Sequence, residues 1–262
     1  MRVLNERYTL KDEAGRNLET PDDVMWRVAY TIAVADRTFG ADDEQVTRTA
    51  RRFNELMVRG QFMPNSPTLM NAGTLNGLQW AACFVLPIED DLSAIFMTMH
   101  NAALIHQASG GTGFAFSRLR PKNSRVRTTS GVSSGPVSFL RVYDAATEHV
   151  KQGASRRGAN MAILRIDHPD ILDFVNCKRD GGITNFNISV AITDAFMRAL
   201  EHGAKYELLA QRGWPLPGGR AHGGEVLGGL DAREVWQRIC ETAWATGDPG
   251  LFFVDRGQPE PC

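Results

Sequence analysis

Basic residues are concentrated in two stretches of the sequence, and both could bind an anion. The first stretch, residues 118–127, contains Arg118, Arg120, Lys122, Arg125 and Arg127. The second stretch, KQGASRRGANM at residues 151–161, contains Lys151, Gln152, Arg156 and Arg157 among flexible Gly and Ser residues. Guanidinium groups bind phosphate oxygens through two parallel hydrogen bonds. The two stretches flank one predicted helix, which favours a local phosphate site, and a solvated basic surface is the alternative.

Cys83, Ser66 and Asp90 carry side chains that could act on a bound ligand. Cys83 lies in AACFVLP on a predicted strand, where its thiol is either redox-active or a small buried apolar group. Ser66 precedes Pro67 in NSPT, a turn or helix-cap pattern whose hydroxyl and amides could bind a phosphate. Asp90 and Asp91 precede a predicted helix. They either cap that helix or offer a carboxylate to a sugar hydroxyl.

Residues 110–113, with the sequence GGTG, lie between a predicted helix and a predicted strand. A turn of this composition lets a ligand approach the backbone closely. It is not a dinucleotide-binding fingerprint, which needs a strand, then glycines, then a helix. It is not a P-loop either, because no Lys-Ser or Lys-Thr follows the glycines. Ligand contact and plain turn geometry both stay open for this segment.

The histidines and cysteines show no pattern of metal ligands. The six histidines are scattered, and Cys83, Cys177, Cys240 and Cys262 form no C-x-x-C pair. A structural zinc site is therefore not expected, and we assign neither a metal ligand nor a catalytic histidine.

Charge and hydropathy exclude several classes of partner. The formal net charge is −1 over 262 residues, so no bulk attraction to a nucleic-acid polymer or an acidic membrane is expected. The N-terminus is not a signal peptide, and no apolar run is long enough to span a bilayer. These features predict a cytoplasmic globular protein with reduced thiols.

Helices and strands alternate along most of the sequence and determine where the candidate residues lie. Residues 1–60 are expected to form two amphipathic helices, the first capped by Thr20 with Pro21 in its first turn and the second ending at Gly60. Strands are predicted at ACFVL, FAFS, MAILRI, FNISVAI and LFFV, with helices between them. Residues 206–229 are glycine-rich and are expected to be mostly loop. The alternation predicts an α/β architecture with mainly parallel strands.

Taken in order, the motifs between residues 7 and 255 resemble the large catalytic chain of ribonucleotide reductases, most closely the adenosylcobalamin-dependent (class II) branch. They are LKDEAGRNLETPDDVMWRVA, FMPNSPTLMNAG, ACFVLPIEDDL, GGTGFAFSRLRP, TSGVSSGPVSFL, KQGASRRGANMAIL, HPDILDFV and FNISVAITDAFMRAL. The resemblance implies a ten-stranded α/β barrel made of two five-stranded halves and preceded by a helical region. Residues 1–60 would then be the helical region, and residues 61–262 the first half-barrel.

The resemblance implies a radical reduction of ribonucleotides to 2′-deoxyribonucleotides. Adenosylcobalamin would generate a protein thiyl radical. A cysteine pair would supply the reducing equivalents and end as a disulfide, which a thioredoxin-type reductant reduces again. Cys83 matches the first cysteine of that pair. Ser66 matches a residue that holds the substrate phosphate, and Ala82 and Gly111 match positions that contact the nucleotide through the backbone.

The resemblance also implies that a bound deoxynucleotide or ATP effector selects the substrate. Asp90 matches the carboxylate that binds the deoxyribose of the effector, and Arg120 and Arg127 match arginines that bind its phosphates. KQGASRRGANM matches the loop that lies between the effector and the substrate base and couples the two sites. The residues expected to take part are Lys151, Gln152, Arg156 and Arg157. The effector site of this family lies at a dimer interface, which implies a homodimer.

The residues that would complete the chemistry do not occur in this sequence. In the family, an Asn-x-Cys-x-Glu loop supplies the radical cysteine and a catalytic glutamate, and no such motif is present. Cys262 follows a proline but has no glutamate two positions on, so it is not expected to be the radical site. We therefore expect an N-terminal portion that needs a C-terminal half for activity. A non-catalytic fragment that binds effector and dimerises is the alternative, and the missing fingerprints disfavour a nicotinamide or phosphate-transfer enzyme.

Overall fold

The computed structural model describes residues 2–75, 77–108, 110–126, 131–152, 156–216 and 219–257, with the backbone alone for Lys151, Gln152, Arg156, Arg157 and Pro215. The chain divides into two compact units. One comprises Met1–Cys83 with Ala108–Gly110, here called the helical unit, and the other comprises Phe84–Gln107 with Gly111–Cys262, here called the sheet unit.

A local capping motif determines where the second helix of the helical unit begins. Thr20 caps the second helix in a capping box: its side chain accepts from the Asp23 amide at 3.3 Å, and Asp23 Oδ2 accepts from the Thr20 amide at 2.9 Å. This confirms the predicted cap with Pro21 in the first turn. The elements are α1 (Arg2–Arg7), α2 (Pro21–Ala33), a 3₁₀ helix (Val34–Phe39), α3 (Asp43–Val58) and α4 (Ser66–Asn71).

Apolar packing and one buried ion pair hold α4, which carries Ser66, against α2. Val24 and Val28 of α2 and Leu69 of α4 belong to one buried cluster. Arg27 of α2 forms an ion pair with Glu19 at 2.6 Å, and both side chains are nearly buried. The same guanidinium donates to backbone carbonyls in and just after α4, those of Leu69 and Ala72. A charge-assisted network of this kind fixes the position of α4.

The sheet unit contains one main sheet, helices and small hairpins, and the first residue of its first strand, Cys83, is counted with the helical unit. In chain order its elements are β1 (Cys83–Leu86), α5 (Leu92–Gln107), β2 (Gly111–Ala115), a 3₁₀ helix (Phe116–Arg118), α6 (Pro136–His149), β3 (Lys151–Gln152), β4 (Arg156–Arg157), β5 (Asn160–Arg165), α7 (Ile171–Asn176), β6 (Phe186–Ile192), α8 (Asp194–His202), β7 (Lys205–Leu209), β8 (Pro215–Leu216), β9 (Gly219–Arg220), β10 (Val226–Asp231), α9 (Ala232–Thr246), β11 (Gly250–Phe253) and α10 (Val254–Gly257).

The main sheet has five strands in the order β1-β2-β5-β6-β11. The pairs β2–β5, β5–β6 and β6–β11 are parallel. Parallel neighbours joined through helices are typical of α/β proteins. The predicted helical region followed by an α/β sheet is therefore confirmed.

The two faces of this sheet differ in burial because alternate side chains point to opposite faces. Along one face, Phe114, Ala162 and Ile188 lie side by side in register and are buried in the main core. Helices α5 to α9 contribute apolar side chains to that same core. On the other face, here called the open face, Gly113, Met161 and Asn187 lie side by side, and the last two are exposed.

Two expectations about local structure are wrong. The segment 206–229 is not mostly loop, because β7 and β10 form an antiparallel hairpin and β8 pairs with β9 inside it. Strand β2 begins at Gly111 rather than at Phe114, so most of GGTG is strand and not turn. In both places glycine concealed a strand, because the residue adds no side chain to the alternating pattern.

None of the described helices combines the length and the apolarity needed to cross a bilayer.

Candidate functional site

Asp90 and Arg120 lie far apart in the sequence but form a paired group in the sheet unit. Arg120 Nε donates to Asp90 Oδ2 at 2.7 Å, and the Arg120 amide donates to Asp90 Oδ1 at 3.1 Å. Arg120 Nη2 also donates to the Asp90 carbonyl at 3.3 Å. Both side chains are about one-fifth exposed, at 22% and 21%. The structure thus brings together the carboxylate and an arginine expected to bind the effector, with part of each open to a ligand.

The electrostatics of Asp90 reflect this half-buried position. Burial raises the pKa of the Asp90 carboxyl, while the hydrogen bonds from Arg120 and the positive charges of Arg120 and Arg220 act in the opposite direction. A carboxylate held in a partly desolvated place interacts strongly with nearby hydrogen-bond donors. It is therefore suited to accept a hydrogen bond from a sugar hydroxyl.

The backbone on which Arg120 sits is held from two sides. Trp214 Nε1 donates to the Arg118 carbonyl at 2.7 Å, and His168 Nε2 donates to the Leu119 carbonyl at 2.9 Å. Burial lowers the pKa of His168, so its neutral form with the proton on Nε2 fits this contact. Because the two carbonyls before Arg120 are hydrogen-bonded, the backbone from which the Arg120 side chain extends is held in one position.

The other expected effector residues are described less fully. Arg127 lies outside the described residues. In the second basic stretch the backbone forms a short antiparallel hairpin, in which Lys151 pairs with Arg157 and Gln152 with Arg156. The side chains of these four residues are not described. The segment expected to be a flexible loop thus has regular strand pairing at its two ends.

The end of this hairpin at Gly158, directly after β4, is closely packed. A side chain at Gly158 would place its Cβ 2.7 Å from Thr147 Cγ2 and 3.3 Å from His106 Nδ1. Only glycine fits such an approach without displacing a neighbour.

Ser66 is the first residue of α4, and its cap is Asn65. The Asn65 side chain accepts from the Thr68 amide at 2.9 Å, so Ser66 is not the capping residue. Its hydroxyl lies 2.7 Å from the Tyr8 hydroxyl. This contact orients the Ser66 hydroxyl, which is half-buried, within the helical unit.

Cys83 opens β1 and is exposed. Exposure alternates along this strand: Phe84 and Leu86 are half-buried, whereas Val85 is 84% exposed on the same side as Cys83. Ala82 precedes the strand and is half-buried. Ser66, Ala82 and Cys83 belong to the helical unit, and Gly111, half-buried at the start of β2, belongs to the sheet unit.

The two cysteines with no expected role lie elsewhere. Cys177 is buried at the C-terminal end of α7, and Cys240 is exposed on α9. Cys262 lies outside the described residues. Cys83 is therefore the described cysteine that combines an exposed thiol with a position on the main sheet.

Sequence reasoning missed a buried polar network behind the sheet. His106 Nε2 lies 2.9 Å from Asn160 Oδ1, and Thr112 Oγ1 donates to the same oxygen at 2.6 Å. Asn160 Nδ2 donates to Thr147 Oγ1 at 2.9 Å. The network links α5, β2, β5 and α6 just below Gly158. Its members lie far apart in the sequence and share no spacing, so no local signal could have revealed it.

Two clefts in the described part of the sheet unit are too small for adenosylcobalamin, the expected cofactor. One cleft of about 460 Å³ is lined by charged residues such as Arg179, Asp180 and Glu234. Another, of about 320 Å³, includes Lys122 and Asp170. Pockets of roughly 300–1,000 Å³ hold drug-sized ligands, and a corrinoid with its adenosyl group and nucleotide tail is far larger. Neither cleft therefore forms a cobalamin site.

Comparison with protein families gives matches over nearly the whole chain. Residues 81–257 match the family model described as ribonucleotide reductase, barrel domain. Residues 1–77 match the model described as ribonucleotide reductase, all-alpha domain.

Curated relatives agree with the family models. The chain is 46% identical to the vitamin B12-dependent ribonucleoside-diphosphate reductase of Mycobacterium tuberculosis, over 99% of the chain and 36% of the relative. It is 39% identical to the protein of the same name from Thermoplasma acidophilum, over 97% of the chain and 39% of the relative. A vitamin B12-dependent ribonucleotide reductase of Streptomyces avermitilis is 34% identical over 74% of the chain. The chain thus spans little more than a third of the length of the first two relatives.

Proposed function

We propose a function for this chain from one premise: it belongs to the ribonucleotide reductase family. We propose that it contributes the helical region and the first half-barrel of an enzyme that reduces ribonucleotides to 2′-deoxyribonucleotides for DNA synthesis. The observation that carries this proposal is the exposed Cys83 thiol at the start of β1. The division after residue 60 into a helical region and a half-barrel stays a prediction.

In this proposal Cys83 is one of two thiols that supply the reducing equivalents. The net reaction replaces the 2′-hydroxyl of the ribose with hydrogen, releases that oxygen as water and oxidises two thiols to a disulfide. An accessible thiol is required, because the ribose, the partner cysteine and an external dithiol must each reach it. A buried cysteine such as Cys177 could not meet this requirement.

We assign Ser66, Ala82 and Gly111 to the ribonucleotide substrate. The Ser66 hydroxyl, oriented by Tyr8, would donate to a substrate phosphate. Ala82 and Gly111 would contact the nucleotide through their backbone groups, which small residues leave accessible.

We assign Asp90, Arg120 and Arg127 to a deoxynucleotide or ATP effector. The Asp90–Arg120 pair supports this assignment because a carboxylate for the sugar and a guanidinium for the phosphates are already adjacent. The hairpin of β3 and β4 would carry information from the effector to the substrate base. Its contributing residues would be Lys151, Gln152, Arg156 and Arg157.

We propose that the protein acts as a homodimer through α5. This helix leaves a stripe of large apolar side chains exposed along one side: Leu92, Phe96, Met97 and Leu104. An exposed apolar stripe rimmed by polar residues is typical of protein–protein interfaces. Asp90 lies just before α5, so pairing through this helix would place an effector site beside the interface.

We propose that the remaining strands of the barrel pair with β11. This strand lies at one edge of the main sheet, and Leu251, Phe252 and Phe253 are each at least 40% exposed. An exposed apolar edge strand is a template for a further strand. A C-terminal half, on the same or a second chain, would supply that strand together with the radical cysteine.

The names of the relatives extend the proposal to a cofactor, and the thiol chemistry extends it to a compartment. We propose adenosylcobalamin as the cofactor of the complete enzyme, because the relatives are named vitamin B12-dependent reductases. We also propose the cytoplasm as the compartment, since a thioredoxin-type reductant is available there to regenerate the thiols.

The test is to combine the chain with the C-terminal remainder of the M. tuberculosis relative and to assay ribonucleoside diphosphate reduction with adenosylcobalamin and a dithiol. Multiple turnover is expected for the wild-type combination. It should be abolished by Cys83→Ser and retained by Cys240→Ser, which alters an exposed thiol elsewhere. Equal turnover of the two variants would refute the role of Cys83. Turnover by residues 1–262 alone would refute the need for a C-terminal half.

A non-catalytic effector-binding fragment is the second candidate. It would rely on the Asp90–Arg120 pair, which lies entirely within this chain and which the enzyme would use as well. Deoxynucleotide binding by the chain, together with no turnover in any combination, would support this candidate over the enzyme.

A further inference from the structure

The β8–β9 hairpin is attached to the backbone that carries Arg120. Trp214, directly before β8, is 1% exposed. Its Nε1 donates to the Arg118 carbonyl at 2.7 Å, and its ring meets the His168 ring edge-to-face with centroids 5.2 Å apart. A buried indole whose N–H is satisfied provides a rigid attachment point. The start of the hairpin is therefore fixed relative to the Arg118 backbone.

The hairpin transmits this fixed position to Arg220. The Ala221 amide donates to the Trp214 carbonyl at 2.8 Å, and the Gly213 amide donates to the Ala221 carbonyl at 2.8 Å. Within the ladder Pro215 pairs with Arg220. Arg220 therefore lies opposite Pro215 and directly before Ala221, and Ala221 is hydrogen-bonded to Trp214.

The positive charge of Arg220 acts on the Asp90 site. It is one of the charges that lower the pKa of the Asp90 carboxyl against the effect of burial. This electrostatic effect agrees with the geometry, since Trp214 holds the hairpin against the residue two positions before Arg120.

Among the described arginines around Asp90, Arg220 is the one not committed to a carboxylate. Arg120 is paired with Asp90 and Arg118 with Glu89. Within the described ranges Arg220 forms no ion pair, and its side chain makes one long contact, from Nη1 to the Gly213 carbonyl at 3.5 Å. Its guanidinium is exposed and is available to an incoming anion.

We infer that Arg220 is a further phosphate-binding residue of the effector site, carried there by a hairpin that Trp214 positions. The ligand class is a deoxynucleoside triphosphate, whose sugar would meet Asp90 while its phosphates meet Arg120 and Arg220. A triphosphate carries several negative charges, and Arg120, which is already paired with Asp90, and Arg127 would neutralise only part of them. We draw this inference on the premise of the proposed function, because the nature of the ligand comes from it.

The test is direct binding of dTTP to the full chain, measured by isothermal titration calorimetry. Arg220→Gln should weaken dTTP binding by about fivefold, the size of one exposed charge contact. Arg220→Lys keeps the positive charge and should bind dTTP with nearly the wild-type affinity. The matched control is Arg212→Gln. It removes an exposed arginine that lies before β8, outside the β8–β9 ladder. The control should bind dTTP as the wild type does.

The outcomes separate this inference from the proposed function. If the wild type binds dTTP and Arg220→Gln binds as well as Arg212→Gln, the role of Arg220 is wrong while effector binding stands. If the wild type does not bind dTTP at all, effector binding by this chain fails, and the inference fails with it.

A charge-specific readout distinguishes phosphate binding from a structural effect. Arg220→Gln should leave the affinity for the uncharged nucleoside deoxythymidine unchanged, because that ligand offers no phosphate. A matching loss of affinity for deoxythymidine would mean that the variant perturbs the site, and it would overturn the assignment.

Trp214→Phe keeps the packing but removes the N–H donor. It should weaken dTTP binding by about two- to threefold, since one neutral hydrogen bond is lost.

Discussion

At the scale of single residues, the three described cysteines differ in how far solvent reaches their thiols. Cys83 and Cys240 are exposed, whereas Cys177 is buried. Burial raises the pKa of the Cys177 thiol to about 12. At pH 8 this thiol is therefore protonated, and the protonated form is a poor nucleophile. Chemical reactivity can consequently distinguish the cysteine assigned to catalysis from one with a structural role.

We predict that maleimide at pH 8 labels Cys83 and Cys240 within minutes in the native chain and leaves Cys177 unlabelled. Cys177 should react only after urea unfolding, which exposes the thiol and returns its pKa towards the ordinary value. Peptide mapping by mass spectrometry measures the labelling of each cysteine separately, so labelling of Cys262 does not affect the comparison. Rapid native labelling of Cys177, with Cys83 protected, would contradict the burial pattern and weaken the redox assignment.

At the scale of elements, the buried network around Asn160 joins two helices to two strands. Asn160 contacts His106 of α5, Thr112 of β2 and Thr147 of α6. Removing a shared partner leaves several buried polar groups unsatisfied at once, and each costs roughly 1–3 kcal/mol. The network also lies below Gly158, so it supports this end of the β3–β4 hairpin.

We predict that Asn160→Ala lowers the free energy of unfolding of the sheet unit by about 2–4 kcal/mol. Urea titration followed by tryptophan fluorescence measures the change. The control is Asn187→Ala, an exposed asparagine on the neighbouring strand, which should change stability by no more than about 0.5 kcal/mol. Equal effects of the two substitutions would mean that the network contributes little.

Local signals predicted most elements, and the failures have a physical cause. Thr20 was predicted as a cap because a side-chain oxygen that satisfies a free amide is a local feature. The hairpin of β7 and β10 was missed because Gly228 and Gly229 interrupt its alternating pattern.

The geometry of the site required information that spacing does not contain. Asp90 and Arg120 are separated by a helix and a strand, and no periodicity links them. Their pairing follows from the order of strands in the sheet, so before the structure was known only family resemblance could associate them. Trp214 and Arg220 lay in the segment expected to be loop, and nothing in their spacing pointed to the Arg118 backbone.

At the scale of the whole molecule, the exposed stripe of α5 bears on the oligomeric state. Leu92, Phe96, Met97 and Leu104 are between 43% and 62% exposed. Most exposed apolar residues occur singly, whereas these four lie on one helix. Association through this surface would remove it from water, and the gain scales with the area buried.

We predict that the chain dimerises and that Met97→Glu combined with Leu104→Glu raises the dimer dissociation constant at least about tenfold, because burying an unpaired carboxylate in an apolar interface is costly. Sedimentation velocity over a concentration series measures the constant. Trp244→Glu is the control: Trp244 is 90% exposed on α9, so it tests whether loss of any large exposed apolar residue has the same effect. It should leave the dimer intact. A dimer that survives the α5 substitutions but dissociates with Trp244→Glu would move the interface to α9, away from Asp90 and the effector site.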